Sequence, residues 1–447
     1  MDRTRREALL CALFGAGWVG LRALATGLPI GMFLHPRRTD AAGACDPALT
    51  SPKYLIIAGD SAGSSLNANV PGTYADPGIY HPTQPTMAAA TITLGGTTYQ
   101  AALPWTQLDA AVLARTCFFH HATYTNAHGD QWKVGTLMGA VRRQEMMLSM
   151  FAKQLAPCLQ TIQNKPVVIG SADRITYDGS PLPSLDPGFL RAVLSAPTGP
   201  LLNLQQIRDT NLDKLNALYK QSGTIAQRAM LDKYALSQTQ ARSLSQTLLN
   251  DLSTIKGGVG YTSIFDFQVN QNIAAAVLIK MNATPVVTMF SQFGGDNHND
   301  PGLAAETAAH LATIPAIGDL MARLKAYQLD DKVVFAIQNV FGRTLATAAH
   351  SGNADGRNHN DKHHCTLIIG QPVKSCVVGG VVSMGAGKDY RCQGIDSATG
   401  AANDAGDIAY EATLGSLGKT LGRALGIPQS VLDYEITTGK PVLGALA

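Results

Sequence analysis

Residues 54–63 read YLIIAGDSAG, an apolar run that ends in a loop containing glycine and aspartate. A short run of consecutive apolar residues predicts a strand that is buried on both faces, as in a parallel sheet. Comparable runs recur along the chain, at residues 113–119, 166–170, 286–290, 332–337 and 366–369. We expect these segments to form one sheet.

Helical patterns alternate with these runs. They lie at residues 131–155, 272–281, 304–326 and 410–425. Alternation of strands and helices predicts an α/β fold with a mostly parallel sheet and helices on both faces. Between about residues 186 and 260 the pattern is helical and polar without a strand signal, which predicts a helical insertion. Ligands of such sheets bind at the loops beyond the carboxyl ends of the strands.

Composition narrows the possible functions. Charged residues make up 15% of the 447 residues and the formal net charge is +3, whereas charged residues make up about 25% of typical soluble domains. A binder of nucleic acid needs dense lysine and arginine patches, so that class is excluded. The chain also has no glycine-rich nucleotide loop of the Rossmann or P-loop type. We predict a single α/β domain over residues 46–447.

The N-terminal segment has a different character. Arg5 and Arg6 precede an apolar stretch, residues 8–21, which is too short for a stable membrane span and is followed by Arg22. This arrangement resembles a twin-arginine export signal. Residues 1–45 are therefore predicted to be an export signal and linker that engage the twin-arginine export machinery. The mature protein would be periplasmic, on the cell surface or secreted.

Cysteine usage fits export without proving it. The chain has seven cysteines, of which Cys11 lies in the predicted signal. The other six could form disulfides in an oxidising compartment, but their connectivity cannot be deduced from sequence. Buried thiols remain an equal alternative.

Histidine is concentrated in three segments. Of the 11 histidines, only His35 and His81 lie outside residues 120–128, 298–310 and 350–364. Each segment follows a predicted strand, so their loops are expected to meet at one edge of the sheet. Carboxylates and amides accompany the histidines, and mixed imidazole and carboxylate ligation suits zinc, manganese or iron. The pattern predicts a divalent metal centre, although a single loop histidine is usually only a solvated side chain.

Four short motifs carry a family resemblance. They are LNANVP at 66–71, GGDNH at 294–298, FGRT at 341–344 and GRNHN at 356–360. In this order they resemble the domain of unknown function 1501 family, exported bacterial proteins similar to sulfatases and alkaline phosphatases. The resemblance runs from about residue 54 to residue 427. It implies an alkaline-phosphatase/sulfatase-like fold and metal-dependent hydrolysis of phosphate or sulfate esters in a small-molecule or glycan substrate.

The resemblance also implies site residues. An aspartate at the end of the first strand binds metal in alkaline phosphatases, and Asp60 stands there, with a simple turn residue as the alternative. Thr125 lies three residues before His128, where family members carry a hydroxyl, so these two are the predicted catalytic residues. Thr123 or a water molecule is the alternative nucleophile, and Thr125 as an ordinary loop residue also remains open. The predicted metal ligands are Asp60, Asp296, His298, Asn358, His359, His363 and His364.

Three departures from the family pattern weaken the enzymatic interpretation. Asn358 replaces the usual aspartate, Val340 stands where many relatives have a carboxylate, and residues 63–67 lack the family's aspartate. Asp355, His363 or His364 could compensate. The alternative function is therefore a catalytically lapsed member that binds metal or glycan or takes part in surface assembly.

Overall fold

The computed structural model describes residues 44–447 except 171–174, 195–201, 257–262, 347–354 and scattered positions between 226 and 245. The predicted twin-arginine segment and His350 lie outside the described residues. The described strands are β1 (Tyr54–Gly59), β2 (Ala89–Leu94), β3 (Thr97–Ala102), β4 (Thr116–His121), β5 (Val167–Ile169), β6 (Thr176–Tyr177), β7 (Ser180–Pro181), β8 (Ser184–Leu185), β9 (Val286–Phe290), β10 (Val333–Ile337), β11 (Gly342–Arg343), β12 (His359–Asn360), β13 (His364–Ile369), β14 (Cys376–Val378), β15 (Val381–Ser383) and β16 (Tyr390–Cys392). The described α-helices are α1 (Ala110–Leu113), α2 (Gln131–Gly135), α3 (Met147–Leu159), α4 (Pro187–Leu194), α5 (Leu202–Ser222), α6 (Gln246–Thr254), α7 (Ile264–Lys280), α8 (Ala304–Ala326), α9 (Thr413–Ala424) and α10 (Gln429–Glu435).

The central sheet is mostly parallel. In the described part of the chain it has eight strands in the order β14-β4-β13-β10-β1-β9-β5-β8. β13 runs antiparallel to its neighbours β10 and β4, and the other neighbouring pairs are parallel. The carboxyl ends of β1, β4, β9 and β10 therefore lie at one edge of the sheet, together with the amino end of β13.

Helices cover both faces of this sheet because its strands are apolar on both sides. Ile56 of β1 packs in one core with α7 and α8. Its neighbours Leu55 and Ile57 point to the other face and pack in a second core with α3 and α9. Helices α4 to α6 lie between β8 and α7 in sequence. The expected architecture, a mostly parallel sheet with helices on both faces and a helical insertion, is confirmed.

Two sequence predictions need correction. The helix predicted over residues 131–155 is two helices, α2 and α3, because the chain between them turns through left-handed backbone at several non-glycine residues, Leu137, Met138, Arg143 and Gln144. The strand predicted at 366–369 does belong to the sheet but runs antiparallel, as β13. The chain passes from the carboxyl end of β10 through β11 and β12 to β13 at the same edge of the sheet, and an antiparallel neighbour needs no crossover helix.

One disulfide lies in the described part of the chain. Cys45 and Cys158 form a disulfide that ties the segment before β1 to α3. The other described cysteines, Cys117, Cys365, Cys376 and Cys392, are not in disulfides. Within the described residues, no helix is both long and apolar enough to cross a bilayer.

A buried ion pair joins α8 to the segment before β12. The guanidinium of Arg357 donates to both carboxylate oxygens of Glu306, at 2.7 and 3.1 Å, and both side chains are within 1% of full burial. Asn69 and Asn297 donate their side-chain amides to the same carboxylate, at 2.7 and 3.1 Å. Loops that follow β1 and β9 are thereby attached to one buried charge.

Removal of this charge should destabilise the fold strongly. Glu306→Gln leaves the buried guanidinium of Arg357 without a compensating charge, so the free energy of unfolding should fall by about 3–5 kcal/mol. The matched control is Asp404→Asn, which neutralises a partly exposed arginine pair with Arg391 and should cost at most about 1 kcal/mol. Urea unfolding of the two variants measures the difference. Equal losses in both would contradict a special role for the buried pair.

Candidate metal centre

Four side chains converge at the edge of the sheet formed by the carboxyl ends of the parallel strands. His128, Asp296, His298 and His359 each offer one nitrogen or oxygen atom, and these atoms all lie within 4.8 Å of one another. Nε2 of His298 lies 2.8 Å from Nε2 of His359 and 3.1 Å from Oδ1 of Asp296. Nε2 of His128 lies 3.5 Å from the same Oδ1. We refer to these four residues as the metal-ligand group.

Local backbone geometry explains the convergence. Gly294 follows β9 with a φ of 96°, a conformation that suits glycine and turns the chain towards Asp296 and His298. Gly356 approaches the same loop so closely that a Cβ there would lie 2.3 Å from the carbonyl oxygen of Asn297. Only a glycine permits this approach, which brings His359 next to His298.

Backbone carbonyls orient two of the imidazoles. The Nδ1–H of His128 donates to the carbonyl oxygen of Ser61 at 2.7 Å, and the Nδ1–H of His359 donates to that of Asn126. Each ring therefore carries its proton on Nδ1 and presents the Nε2 lone pair to the group. A hydrogen bond from the second ring nitrogen is the usual support of a metal-bound histidine. Three Nε2 atoms and one carboxylate oxygen are a donor set that fits zinc, manganese or iron.

Arg343 is a site residue that the sequence prediction did not assign, although its FGRT motif was noticed. Its fully buried guanidinium donates to Oδ1 of Asp296 at 3.1 Å and to the carbonyl oxygen of Gly295 at 2.7 Å. Burial alone would raise the pKa of Asp296, but the hydrogen bond and charge of Arg343 lower it below its usual value. Asp296 is therefore ionised at neutral pH.

The two neighbouring imidazoles stay neutral for a related reason. Burial and the charge of Arg343 lower the pKa of His298. Burial is also the main cause that lowers the pKa of His359 to about 4. The neutral imidazole is the form that binds a metal.

Asp60 and Asn358, both predicted ligands, are placed differently. Asp60 is 5% exposed, and its Oδ1 accepts from the Ala62 N–H at 3.0 Å and from Nδ2 of Asn339 at 3.1 Å. It is not one of the metal-ligand group. Oδ1 of Asn358 accepts a hydrogen bond from the backbone N–H of His359 at 3.1 Å, which places this amide beside a ligand.

Thr125 lies in the loop before the single-turn helix His128–Asp130. Its hydroxyl donates to Oδ2 of Asp130 at 2.7 Å, and the same oxygen accepts from Lys133 at 2.9 Å. These contacts lower the pKa of Asp130, with the bond from Thr125 as the main cause. The Thr123 hydroxyl instead faces backbone carbonyls. The structure thus gives Thr125, but not Thr123, a carboxylate that can orient its hydroxyl.

His363 and His364 are not brought to the metal-ligand group. The Nε2–H of His363 donates to Nδ1 of His120 at 2.9 Å. The Nε2–H of His120 in turn donates to the carbonyl oxygen of Pro71. Nε2 of His364 accepts from the Asn339 N–H at 3.1 Å. His364 pairs with His121 across β13 and β4. The strand β4 extends to His121, so His120 with His363 and His121 with His364 form two buried pairs on opposite faces of the sheet. We call these four rings the buried row.

The buried row predicts a pH-dependent stability. Burial lowers the pKa of His120 and His121 to about 4, whereas each takes up a proton near pH 6.5 in the unfolded chain. The unfolded state therefore binds more protons, and the free energy of unfolding should decrease as the pH falls from about 6.5 to about 4. His121→Gln should make this slope shallower by about 1.4 kcal/mol per pH unit in that range. Urea unfolding at several pH values measures the slope, and a slope equal to that of the wild type would contradict a neutral His121.

Comparisons with known proteins add little to this geometry. No protein-family model and no curated protein matches the chain. Among solved structures, the chain is similar to the lipoteichoic acid synthase LtaP from Listeria monocytogenes, with a TM-score of 0.36 and 9% sequence identity over 91% of this chain and 81% of that one. A similarity at this level assigns neither a family nor an activity. Membership of the domain of unknown function 1501 family stays a prediction.

Proposed function

We propose that this protein is an exported metal-dependent hydrolase of phosphate or sulfate esters, with zinc, manganese or iron as its cofactor. The observation that carries the proposal is the convergence of three imidazole nitrogens and one carboxylate oxygen from His128, Asp296, His298 and His359. A divalent ion held by these residues would neutralise an ester oxygen and lower the pKa of a nearby hydroxyl or water.

The charges around the group favour an anionic substrate. Asp296 contributes one negative charge, which the buried guanidinium of Arg343 balances at 3.1 Å. The group therefore carries no net charge when its imidazoles are neutral, as metal ligation requires. Asp60 is a further carboxylate near Arg343, but the two positive charges of a divalent ion would still leave the site net positive, so the site would attract an anion. Phosphate and sulfate esters of small molecules or glycans meet this requirement.

Thr125 is the proposed nucleophile. A threonine hydroxyl is weak until a base or metal takes its proton, and Asp130 accepts its hydrogen bond at 2.7 Å. The Asp130 carboxylate is also paired with Lys133, which makes it a weak base and suits it to orient the hydroxyl. Asn126, the next residue, supports His359 through its carbonyl oxygen, so the Thr125 backbone adjoins the metal-ligand group.

Export is supported by two features. Arg5 and Arg6 precede an apolar segment, and the Cys45–Cys158 disulfide is a feature of proteins in oxidising compartments. We infer that the twin-arginine machinery carries the chain to the periplasm or the cell surface.

A second candidate is a lapsed enzyme that binds metal or glycan or serves surface assembly. Val340, which replaces a carboxylate of many relatives, is fully buried in the apolar core. The amide oxygen of Asn358 is hydrogen-bonded to its own chain. A scaffold of this kind would retain the metal without turnover.

Metal content tests the donor set. Asp296→Asn keeps the shape of the side chain but replaces the carboxylate by a neutral and poorer ligand, so the bound metal should be lost. The matched control, Asp404→Asn, also alters an arginine-paired aspartate and should retain the metal, because Asp404 pairs with Arg391 outside the group. Elemental analysis after growth with zinc, manganese and iron and subsequent dialysis measures both. An Asp296→Asn variant with wild-type metal content would exclude this centre.

Hydrolysis tests the nucleophile. Thr125→Val, which preserves side-chain volume, should abolish hydrolysis of 4-nitrophenyl phosphate, its diester or 4-nitrophenyl sulfate, while metal content stays at the wild-type level. Thr123→Val serves as the matched variant in the same loop and should retain activity. Activity that survives Thr125→Val but not Thr123→Val would transfer the role to Thr123. A wild-type protein that holds metal and hydrolyses none of the three would favour the lapsed enzyme.

A further inference from the structure

A cavity lies on the α3 face of the sheet, near the carboxyl ends of β1, β9 and β10. Its volume is about 40 Å³, enough for about three water molecules or a group of similar size. Gln131 on α2 and Thr288 on β9 contribute to its wall, together with Gln338 and Asn339 after β10. The rest of the described lining is glycine or apolar, and no charged side chain is among the described residues that line the cavity.

Four polar atoms of this wall have no hydrogen-bond partner in the described part of the chain. They are Oγ1 of Thr288, Nε2 of Gln338, Oδ1 of Asn339 and Oε1 of Gln131. Thr288 is 3% exposed and Asn339 is 1% exposed. A buried polar atom left without a partner costs about 1–3 kcal/mol. Four such atoms around one cavity indicate that a hydrogen-bonding group belongs there.

The atoms define what that group must be. Nδ2 of Asn339 donates to Asp60, so Oδ1 of Asn339 is the acceptor of that amide. This oxygen lies close to Gly59, which also lines the cavity, because a Cβ built on Gly59 would be 3.2 Å from it. Nε2 of Gln338 is a donor, and the Thr288 hydroxyl can be either. The occupant must therefore both donate and accept.

Charge and shape narrow the class further. An ion buried without a compensating charge is strongly disfavoured, so the occupant is neutral. Met146 and Met147 are part of the apolar wall and can contact a methyl group. An amide with one N–H, one carbonyl oxygen and a methyl group meets all of these requirements.

We propose that this cavity binds the acetamido group of an N-acetylated sugar. Its carbonyl oxygen would accept from Gln338 and Thr288, and its N–H would donate to an amide oxygen of the wall. The chain segment that supplies Gln131 begins with His128 of the metal-ligand group, so the cavity and the candidate centre share one short stretch of chain. The proposal does not depend on hydrolase activity, because binding is measured without turnover.

The probe is N-acetyl-D-glucosamine, with D-glucose as the matched sugar that lacks the acetamido group. Saturation-transfer NMR on chelator-treated protein should show transfer to the acetyl methyl protons and none to D-glucose. Thr288→Val removes one hydrogen bond and should weaken binding of the probe by about tenfold. Thr288→Ser restores the hydroxyl and should retain it.

The thermal unfolding midpoint separates binding from folding. Thr288→Val deletes a buried hydroxyl that has no partner among the described residues, so its midpoint should equal or exceed that of the wild type. Equal transfer to both sugars, or unchanged affinity of Thr288→Val for the probe, would overturn the proposal. A crystal grown with the probe in which these four atoms bind only water would also overturn it. None of these three results would bear on metal content or esterase activity.

Discussion

The buried ion pair between Glu306 and Arg357 is the interaction on which the candidate centre depends. The carboxylate of Glu306 binds Arg357, Asn69 and Asn297, so one charge on α8 holds three loops. Asn297 lies between two members of the metal-ligand group, and Arg357 lies two residues before a third. A fully buried charge must keep its partners in one geometry. The positions of three of the four ligands, Asp296, His298 and His359, therefore depend on a contact that contains none of them.

A second charge balance governs the chemistry of the centre. Arg343 neutralises Asp296, and the imidazoles of His298 and His359 are kept neutral by burial. With a divalent ion bound, the proposed centre would carry a net positive charge, which selects an anionic group. The described residues that line the cavity beside Asn339 carry no charge, which favours a neutral group there. Together they describe an anionic ester that carries an uncharged polar substituent.

The sequence predicted the sheet better than the site, for physical reasons. Apolar runs such as residues 286–290 identify strands buried on both faces, but an apolar run does not show strand direction, so β13 was predicted as a strand without its antiparallel direction. The break between α2 and α3 was missed because Leu137 and Met138 adopt left-handed backbone beside Gly139, and such residue types do not predict that conformation.

The histidine clusters predicted where the site lies but not which histidines belong to it. His128, His298 and His359 converge, whereas His120 bonds His363, His121 bonds the Thr366 hydroxyl, and His364 accepts from the Asn339 N–H. Which ring nitrogen faces which partner depends on tertiary contacts. Arg343 acts on Asp296 across 47 residues of sequence, a distance over which motif spacing is not informative.

The central claim is that four named side chains share one divalent ion. Anomalous diffraction from crystals grown with zinc, recorded on both sides of the zinc absorption edge, tests it most directly. The account predicts a peak in contact with Nε2 of three histidines, His128, His298 and His359, and with Oδ1 of Asp296. Ligand distances there should be about 2.0–2.2 Å. A peak at the buried row of His120 and His363, or no peak at the metal-ligand group, would contradict the account.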